Sequence, residues 1–145
     1  MAGNFIGLCD NAVGNNRITI PARFKKDFAP SAKDTVVITL GQDDDYLVIF
    51  PLDYWDELSK KFSSGNENQR RALKSYLNYA DLQKLEPNGR IRVKSDIMKL
   101  AGIERDITIK GEGGYITVWD YSKFHSFRDN TREAVKNNKE TDLFL

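Results

Sequence analysis

The sequence predicts an α+β fold in which two copies of one small module interlock into a pseudo-twofold β-barrel with short peripheral helices. Three observations predict it. First, Gly14-Asn15-Asn16-Arg17-Ile18-Thr19-Ile20-Pro21, followed by Phe24 and Phe28, matches Pro87-Asn88-Gly89-Arg90-Ile91-Arg92-Val93-Lys94, followed by Ile97 and Ala101, at a constant offset of 73. Second, Tyr46-Leu47-Val48-Ile49-Phe50 matches Tyr115-Ile116-Thr117-Val118-Trp119 at an offset of 69, with Trp55 falling on Phe124. The smaller second offset is explained by one shorter loop, which surface connections absorb cheaply. Third, a module of roughly fifty residues buries too little surface to stand alone, and its short strands leave edges that need covering. Two copies sharing one core solve both problems.

The elements follow in the same order in each copy. A short strand leads into a polar turn, and Arg17-Ile18-Thr19-Ile20 or Arg90-Ile91-Arg92-Val93 then alternates with period two, as a half-buried strand does. A short helix follows, Pro21 to Phe28 in the first copy and Ser95 to Ala101 in the second. Pro21 suits a first helical turn, Ser95 an N-cap and Gly102 a stop. Next come a strand (Thr35 to Leu40; Asp106 to Lys110), a turn (Gly41 to Asp45; Gly111 to Gly114), and a last strand (Tyr46 to Phe50; Tyr115 to Trp119). A helix carrying Trp55 or Phe124 closes each unit. Between the copies, Asn66 to Ala80 reads as an amphipathic helix, with Ala72, Leu73, Tyr76, Leu77 and Ala80 in one stripe and Arg70, Arg71 and Lys74 largely off it. The resulting division is a first module over 1–64, a connecting helix over 65–80, a second module over 81–127 and a C-terminal helix or tail over 128–145, in which Phe144 is free to dock on a neighbour.

Bulk composition narrows the function classes. With 145 residues, 40% hydrophobic and 30% charged, the chain is ordinary for a soluble globular protein. The net charge of +1 gives no global attraction to nucleic acid, so any such affinity has to come from local clustering. Cys9 and His125 are each the sole residue of their type, which excludes an internal disulfide and leaves a Cys/His zinc site without ligands. The start, Met1 to Ile6, lacks the basic region and apolar run of a signal peptide, and no stretch approaches the ~20 apolar residues of a membrane helix. The expected setting is the cytoplasm, with no membrane partner, no metal and no cofactor.

Chemistry concentrates at the two polar turns. Asn88-Gly89 tolerates the positive φ of a tight turn, and Gly14-Asn15-Asn16 does the same work in the first copy. Each turn hands over to an arginine, Arg17 or Arg90. Arg23, Lys25 and Lys26 follow the first, and Arg92, Lys94 and Lys99 the second; from Gly14 to Lys26 there is no acid. An arginine can bind guanine O6 and N7 together, which is worth about 1–3 kcal/mol of discrimination, while neighbouring lysines hold phosphates. Other features read as structural. Asp43-Asp44-Asp45 lacks the spacing of a calcium loop, Gly113-Gly114 lacks a phosphate-loop context, and His125 has no partner for catalysis. Cys9 reads as a small buried apolar residue, and Trp55, Trp119, Phe124 and Phe127 read as packing rather than base-stacking surfaces. No enzyme is expected.

Phe50-Pro51-x-x-x-Trp55, the Asn88-Gly89-Arg90-Ile91 turn and the closing Tyr115-x-x-x-Trp119-Asp120 together resemble the MraZ family, within the AbrB-like group of swapped-hairpin DNA-binding proteins (SpoVT/AbrB-like modules). The resemblance covers about residues 4–126. It implies a transcriptional regulator of the division and cell-wall gene cluster, nucleoid-associated. Such a protein binds short G-rich direct repeats of double-stranded promoter DNA and self-associates into a ring-like homo-oligomer. The family's turn motif is an acid, three residues and an arginine. Glu86 and Arg90 carry it in the second copy, with Glu for the more usual Asp, whereas in the first copy Arg17 matches but Val13 and Asn16 stand where an acid and a glycine are expected. The DNA-binding set expected on this basis is Arg17, Arg90, Asn15, Asn16, Asn88, Gly89, Arg23, Lys25, Arg92 and Lys94, with Glu86 as motif acid and the second turn as the more typical reader. Two alternatives keep the fold: an AbrB-like antitoxin, less favoured because the chain has two modules and a mixed-charge ending, and a ring-forming structural protein whose DNA contact is incidental.

Overall fold

The first strand, β1 (Leu8–Ala12), pairs with the second copy rather than its own. It runs antiparallel to β7 (Asp106–Gly111), Leu8 opposite Lys110 and Ala12 opposite Asp106. The second copy returns the exchange, laying β5 (Asp81–Lys84) against β3 (Thr35–Leu40) of the first. Each copy keeps one hairpin of its own: β3 with β4 (Leu47–Pro51), and β7 with β8 (Ile116–Asp120). The computed structural model describes residues 3–43 and 45–137, so the expected tail after Asn137, Phe144 included, lies outside the described residues.

The hairpins meet at β4 and β8, with Val48 opposite Thr117, which are equivalent positions in the repeat. The six-stranded order is β1-β7-β8-β4-β3-β5. Exchanging the copies swaps β1 with β5, β7 with β3 and β8 with β4, and returns the same order. A second, two-stranded ribbon pairs β2 (Arg17–Thr19) with β6 (Arg90–Arg92), Ile18 opposite Ile91, which are again equivalent positions. Two copies thus interlock as an α+β fold. The pairing among the described residues is an open six-stranded sheet with β1 and β5 at its ends, plus the ribbon.

Alternation along the strands builds two cores. Val36, Ile38, Leu47, Ile49, Ile107, Ile109, Ile116 and Val118 pack in the same core as Ile18, Ile20, Ile91 and Val93 of the ribbon strands and the turns just beyond them. The helices α1 (Ala22–Lys25) and α4 (Ser95–Leu100) add Phe24, Ile97 and Met98 to it. Full burial of one such side chain is worth about 1.5–3 kcal/mol. On the opposite face of the sheet, Val37, Val48 and Phe50 meet residues of α2 (Leu52–Ser63) and α3 (Glu67–Tyr79). Tyr46 stacks on Trp119 of the other copy at 4.4 Å between centroids, and its equivalent Tyr115 lies 5.3 Å from Phe50, the equivalent of Trp119. Trp55 on Phe50 and Phe124 on Trp119 repeat the same relation at 5.6 and 5.8 Å, with Phe124 carried by α5 (Tyr121–Asn137). These aromatics are therefore packing residues, although Phe127 keeps a partly exposed edge.

Helix boundaries differ in detail from the sequence reading. The first short helix is only four residues long, and Lys94 rather than Ser95 occupies the N-cap of α4, without a side-chain bond. Gly102 does stop α4, at φ +70°. Asn66 and Gln69 form a reciprocal capping box on α3, and only Leu73 of its apolar stripe is fully buried; Leu77 is largely exposed. Cys9 lies half-buried at the sheet edge rather than inside the core.

The turns that end the ribbon are closed differently. Gly14 and Arg17 exchange backbone bonds of 3.1 and 2.9 Å around Asn15 and Asn16, at φ +52° and +58°, the signature of a two-residue type I′ hairpin. In the second copy Glu86 pairs with Arg90 instead, its N–H donating to the Arg90 carbonyl at 2.9 Å around a three-residue loop. Gly89, at φ +86°, is the left-handed residue of that loop. Each turn also caps the opposite strand: the Val93 N–H donates to the Asn16 carbonyl and the Ile20 N–H to the Gly89 carbonyl, both at 2.8 Å.

Two outcomes follow from this packing. A Cβ at position 89 would sit 2.7 Å from the Ile20 carbonyl oxygen in a left-handed backbone, so Gly89→Ala destabilises the protein by about 1–3 kcal/mol. Urea denaturation checks this, and an unchanged midpoint would contradict it. Burial also raises the pKa of Tyr46, Tyr54 and Tyr76, helped by Asp43 at the first and third. Tyr115 is pushed up to about 12 from 10.0, by burial first and Glu112 second. These folded-state values lie above the unfolded one, so the stabilisation is complete below pH about 10 and is lost as pH rises toward about 12. Tyrosinate absorbance followed against unfolding should show these rings ionising late and together with the loss of structure.

Candidate nucleic-acid interface

Period-two alternation sorts the ribbon's side chains into two sets. Ile18 and Ile91 point into the core, so Arg17, Thr19, Arg90 and Arg92 share the outer face. Arg17 lies opposite Arg92, and Thr19 opposite Arg90. The Val93-to-Asn16 and Ile20-to-Gly89 bonds bracket these two pairs and make both of them non-hydrogen-bonded pairs, the type that brings side chains closest. Like charges directly opposite are unfavourable, and the Arg17–Arg92 pair has a counter-charge at hand. Glu86 Oε2 lies 3.5 Å from Arg17 Nε. The motif acid of the second copy therefore pairs with the arginine of the first, not with Arg90 of its own turn. Among the described residues, Arg90 and Arg92 have no ion-pair partner.

The remaining expected site residues divide by what they touch. Asn15 and Asn16 are exposed on the first turn; with Arg92, Lys94, Ser95 and Asp96 they line an open cavity of about 430 Å³. Asn88 Oδ1 accepts the Arg90 N–H at 3.2 Å and stiffens the second turn, while Gly89 is buried beneath it. Lys25 spans the copies to donate to the Pro87 carbonyl. Arg23 donates to the Leu8 carbonyl of the edge strand and lies over the Phe24 ring, 5.2 Å from its centroid. Lys94 reaches Asp81 at 3.6 Å. Thus Arg17, Asn15, Asn16, Arg90, Arg92 and Lys94 cluster at the ribbon and its first turn, whereas Lys25 and Arg23 are engaged in holding a turn and an edge.

Thr19 and the cross-copy reach of Glu86 are the features that sequence reasoning missed. The alternation that buries Ile18 places Thr19 beside Arg17, so the first was available. The second required the register of β2 on β6. Arg128 donates to Nδ1 of His125 at 3.0 Å, and the Tyr46 hydroxyl donates to Asp43 at 3.1 Å in the turn whose Asp44 is not among the described residues. Among the described residues there is no cluster of three or more potential metal ligands, and no helix is long and apolar enough to cross a membrane.

Comparison with known proteins finds a likeness over most of the chain. Residues 14–75, which begin at the first turn, match the family described as "MraZ protein, putative antitoxin-like". A protein named transcriptional regulator MraZ from Nitratidesulfovibrio vulgaris is 29% identical over 112 residues, covering 74% of each chain. The protein of the same name from Clostridium tetani is 29% identical over 129 residues, covering 86% of this chain and 87% of the relative. The one from Christiangramia forsetii is 23% identical over 134 residues, covering 90% and 86%. The matched segment takes in the first copy from its turn onward and much of the connecting helix, and the relatives' alignments are long enough to reach both copies, so the chain is similar to MraZ proteins over most of its length.

Proposed function

We propose that this chain is a sequence-specific double-stranded DNA-binding regulator of transcription, and that the outer face of the β2–β6 ribbon is its reading surface. The observation that carries the reading is the grouping of Arg17, Arg90 and Arg92 on one face of a two-stranded antiparallel ribbon. A major groove about 12 Å wide admits such a ribbon, and arginine is the residue best suited to guanine O6 and N7 within it. Asn15 and Asn16 on the adjoining turn, with Lys94 beside them, are placed to follow the phosphates. Arg23 and Lys25 contribute chiefly by holding the edge strand and the second turn. The names of the relatives, each a transcriptional regulator, support DNA as the partner.

The finer parts of the proposal rest on the family resemblance together with the charge pattern. The regulated genes are those of the division and cell-wall cluster, and the sites are G-rich direct repeats in a promoter, bound at the nucleoid in the cytoplasm. Modules 1–64 and 81–127, joined by the helix over 65–80, act as one interlocked pseudo-twofold barrel-like reader, with 128–145 outside it. With a net charge of only +1, one ribbon is a weak ligand for DNA. A ring of subunits, each engaging one repeat, raises the effective concentration of every further contact and makes direct repeats the natural target.

Fluorescence anisotropy with labelled duplexes tests both parts. Wild-type protein should prefer a G-rich direct repeat over its scrambled counterpart with a steep salt dependence, and Arg90→Ala should reduce that preference about 10- to 100-fold. Equal binding of both duplexes by wild type, or an unchanged preference in Arg90→Ala, would contradict the assignment. A duplex with one repeat should bind at least about tenfold more weakly than one with three; equal affinities would argue against a multivalent reader.

A further inference from the structure

The fold is twofold in its pairing, but the outer face of the ribbon is not. Two repeat positions break the symmetry, and they do so together. Position 19 in the first copy is threonine where its equivalent, position 92, is arginine. Glu86 closes the second turn on Arg90 where Gly14 closes the first on Arg17, so the first copy carries no side chain at that place. The register explains the coincidence. Arg92 confronts Arg17 in a close pair, and the carboxylate of Glu86, whose backbone is bonded to Arg90, reaches across the copies to lie 3.5 Å from Arg17 Nε. At the other end Arg90 faces neutral Thr19, and the place of the acid is taken by Gly14, which has no side chain to offer. One end of the ribbon therefore holds two cations with a carboxylate between the copies; the other holds one arginine with no ion-pair partner among the described residues.

From this asymmetry we infer that Glu86 is a specificity-determining positioning residue, which fixes Arg17 across the copy boundary and leaves Arg90 as the free base reader. The inference rests on the DNA-reading proposal above and deepens it. Glu86 acts through Arg17. A guanidinium held by a carboxylate presents one orientation and little net charge to a phosphate, so it adds register without adding indiscriminate attraction. Arg90 keeps its full charge and reach. The single ribbon thus reads DNA with a polarity, one anchored end and one reading end, although the backbone beneath it is nearly symmetric. A site with polarity is what a direct repeat presents and a palindrome does not.

Glu86→Gln removes the carboxylate while the backbone bonds that close its turn remain available. Arginine Nε–H NMR on the free protein is the first readout. Arg17 should be ordered in wild type and mobile in Glu86→Gln, while Arg90 is mobile in both; Glu86→Asp, which keeps the charge, should restore much of the order. The second readout is binding to G-rich and scrambled duplexes across a salt series. Freed Arg17 becomes one more phosphate contact, so Glu86→Gln should bind scrambled DNA more tightly, with the log–log salt slope steeper by about one. Its preference for the G-rich duplex should fall about 5- to 10-fold, and Arg17→Ala combined with Glu86→Gln should return the slope to its wild-type value. Wild-type preference together with an unchanged slope and preference in Glu86→Gln would overturn this inference alone. Arg17 equally mobile in wild type and Glu86→Gln would also overturn it. Absence of any preference in wild type would overturn the DNA reading and the role of Glu86 with it.

Discussion

The structure depends on a constraint that neither copy can meet by itself. A three-residue strand with one buried isoleucine has no stability alone, and a lone hairpin leaves its outer edge open. Pairing Ile18 with Ile91 satisfies both copies at once. It brings the two short strands together as a ribbon, turns their isoleucines onto the six-stranded sheet and drives their arginines outward. The exchange of β1 and β5 onto the opposite hairpins then locks the arrangement, because each copy's first strand is an edge of the other's sheet. The turns take part as well, since the Asn16 and Gly89 carbonyls accept the bonds that end the opposite strands. A reading surface held this way sits on backbone pairs rather than on a free loop.

The repeat made most of this legible in the sequence. Period-two alternation at Ile18 and Ile91, the helix between Asn66 and Ala80, and the strands near Thr35, Asp106, Tyr46 and Tyr115 all lie within a residue or so of the structural elements. The aromatic positions were recoverable as packing because they recur at matched offsets, and the structure joins them across the copies. Other features depend on partners distant in sequence. Ser95 has the chemistry of a cap, yet the cap position falls on Lys94. Lys25 and Arg23 look like phosphate ligands, but each meets a carbonyl brought near by the swap. Leu77 continues the apolar stripe of its helix in the sequence, yet it is largely exposed while Tyr76 and Ala80 pack on the sheet. The offset between Val13 and Glu86 also misled. The first turn closes at Gly14 and the second at Glu86, so the two hairpins differ by one residue where the sequence aligns them evenly.

Electrostatics adds a point that net charge conceals. The chain carries 22 basic and 21 acidic side chains, which leaves no overall attraction to a polyanion. The ribbon nonetheless gathers three arginines over a span of two short strands, with one acid among them. Exposed ion pairs of this kind are worth little in stability, about 0–1 kcal/mol. Their effect here lies in which cation is neutralised and which is not. Small charge differences between near-symmetric ends can therefore change what a symmetric backbone recognises.

Entry of the ribbon's outer face into a major groove is the step on which the proposed reading of DNA depends. Wild-type affinity should be measured for a G-rich repeat duplex in which guanine is replaced by 7-deazaguanine, which lacks the N7 acceptor, and separately by inosine, which lacks only the minor-groove amino group. Affinity should fall about tenfold or more with 7-deazaguanine and change little with inosine. A loss confined to inosine, or none with either base, would contradict groove entry.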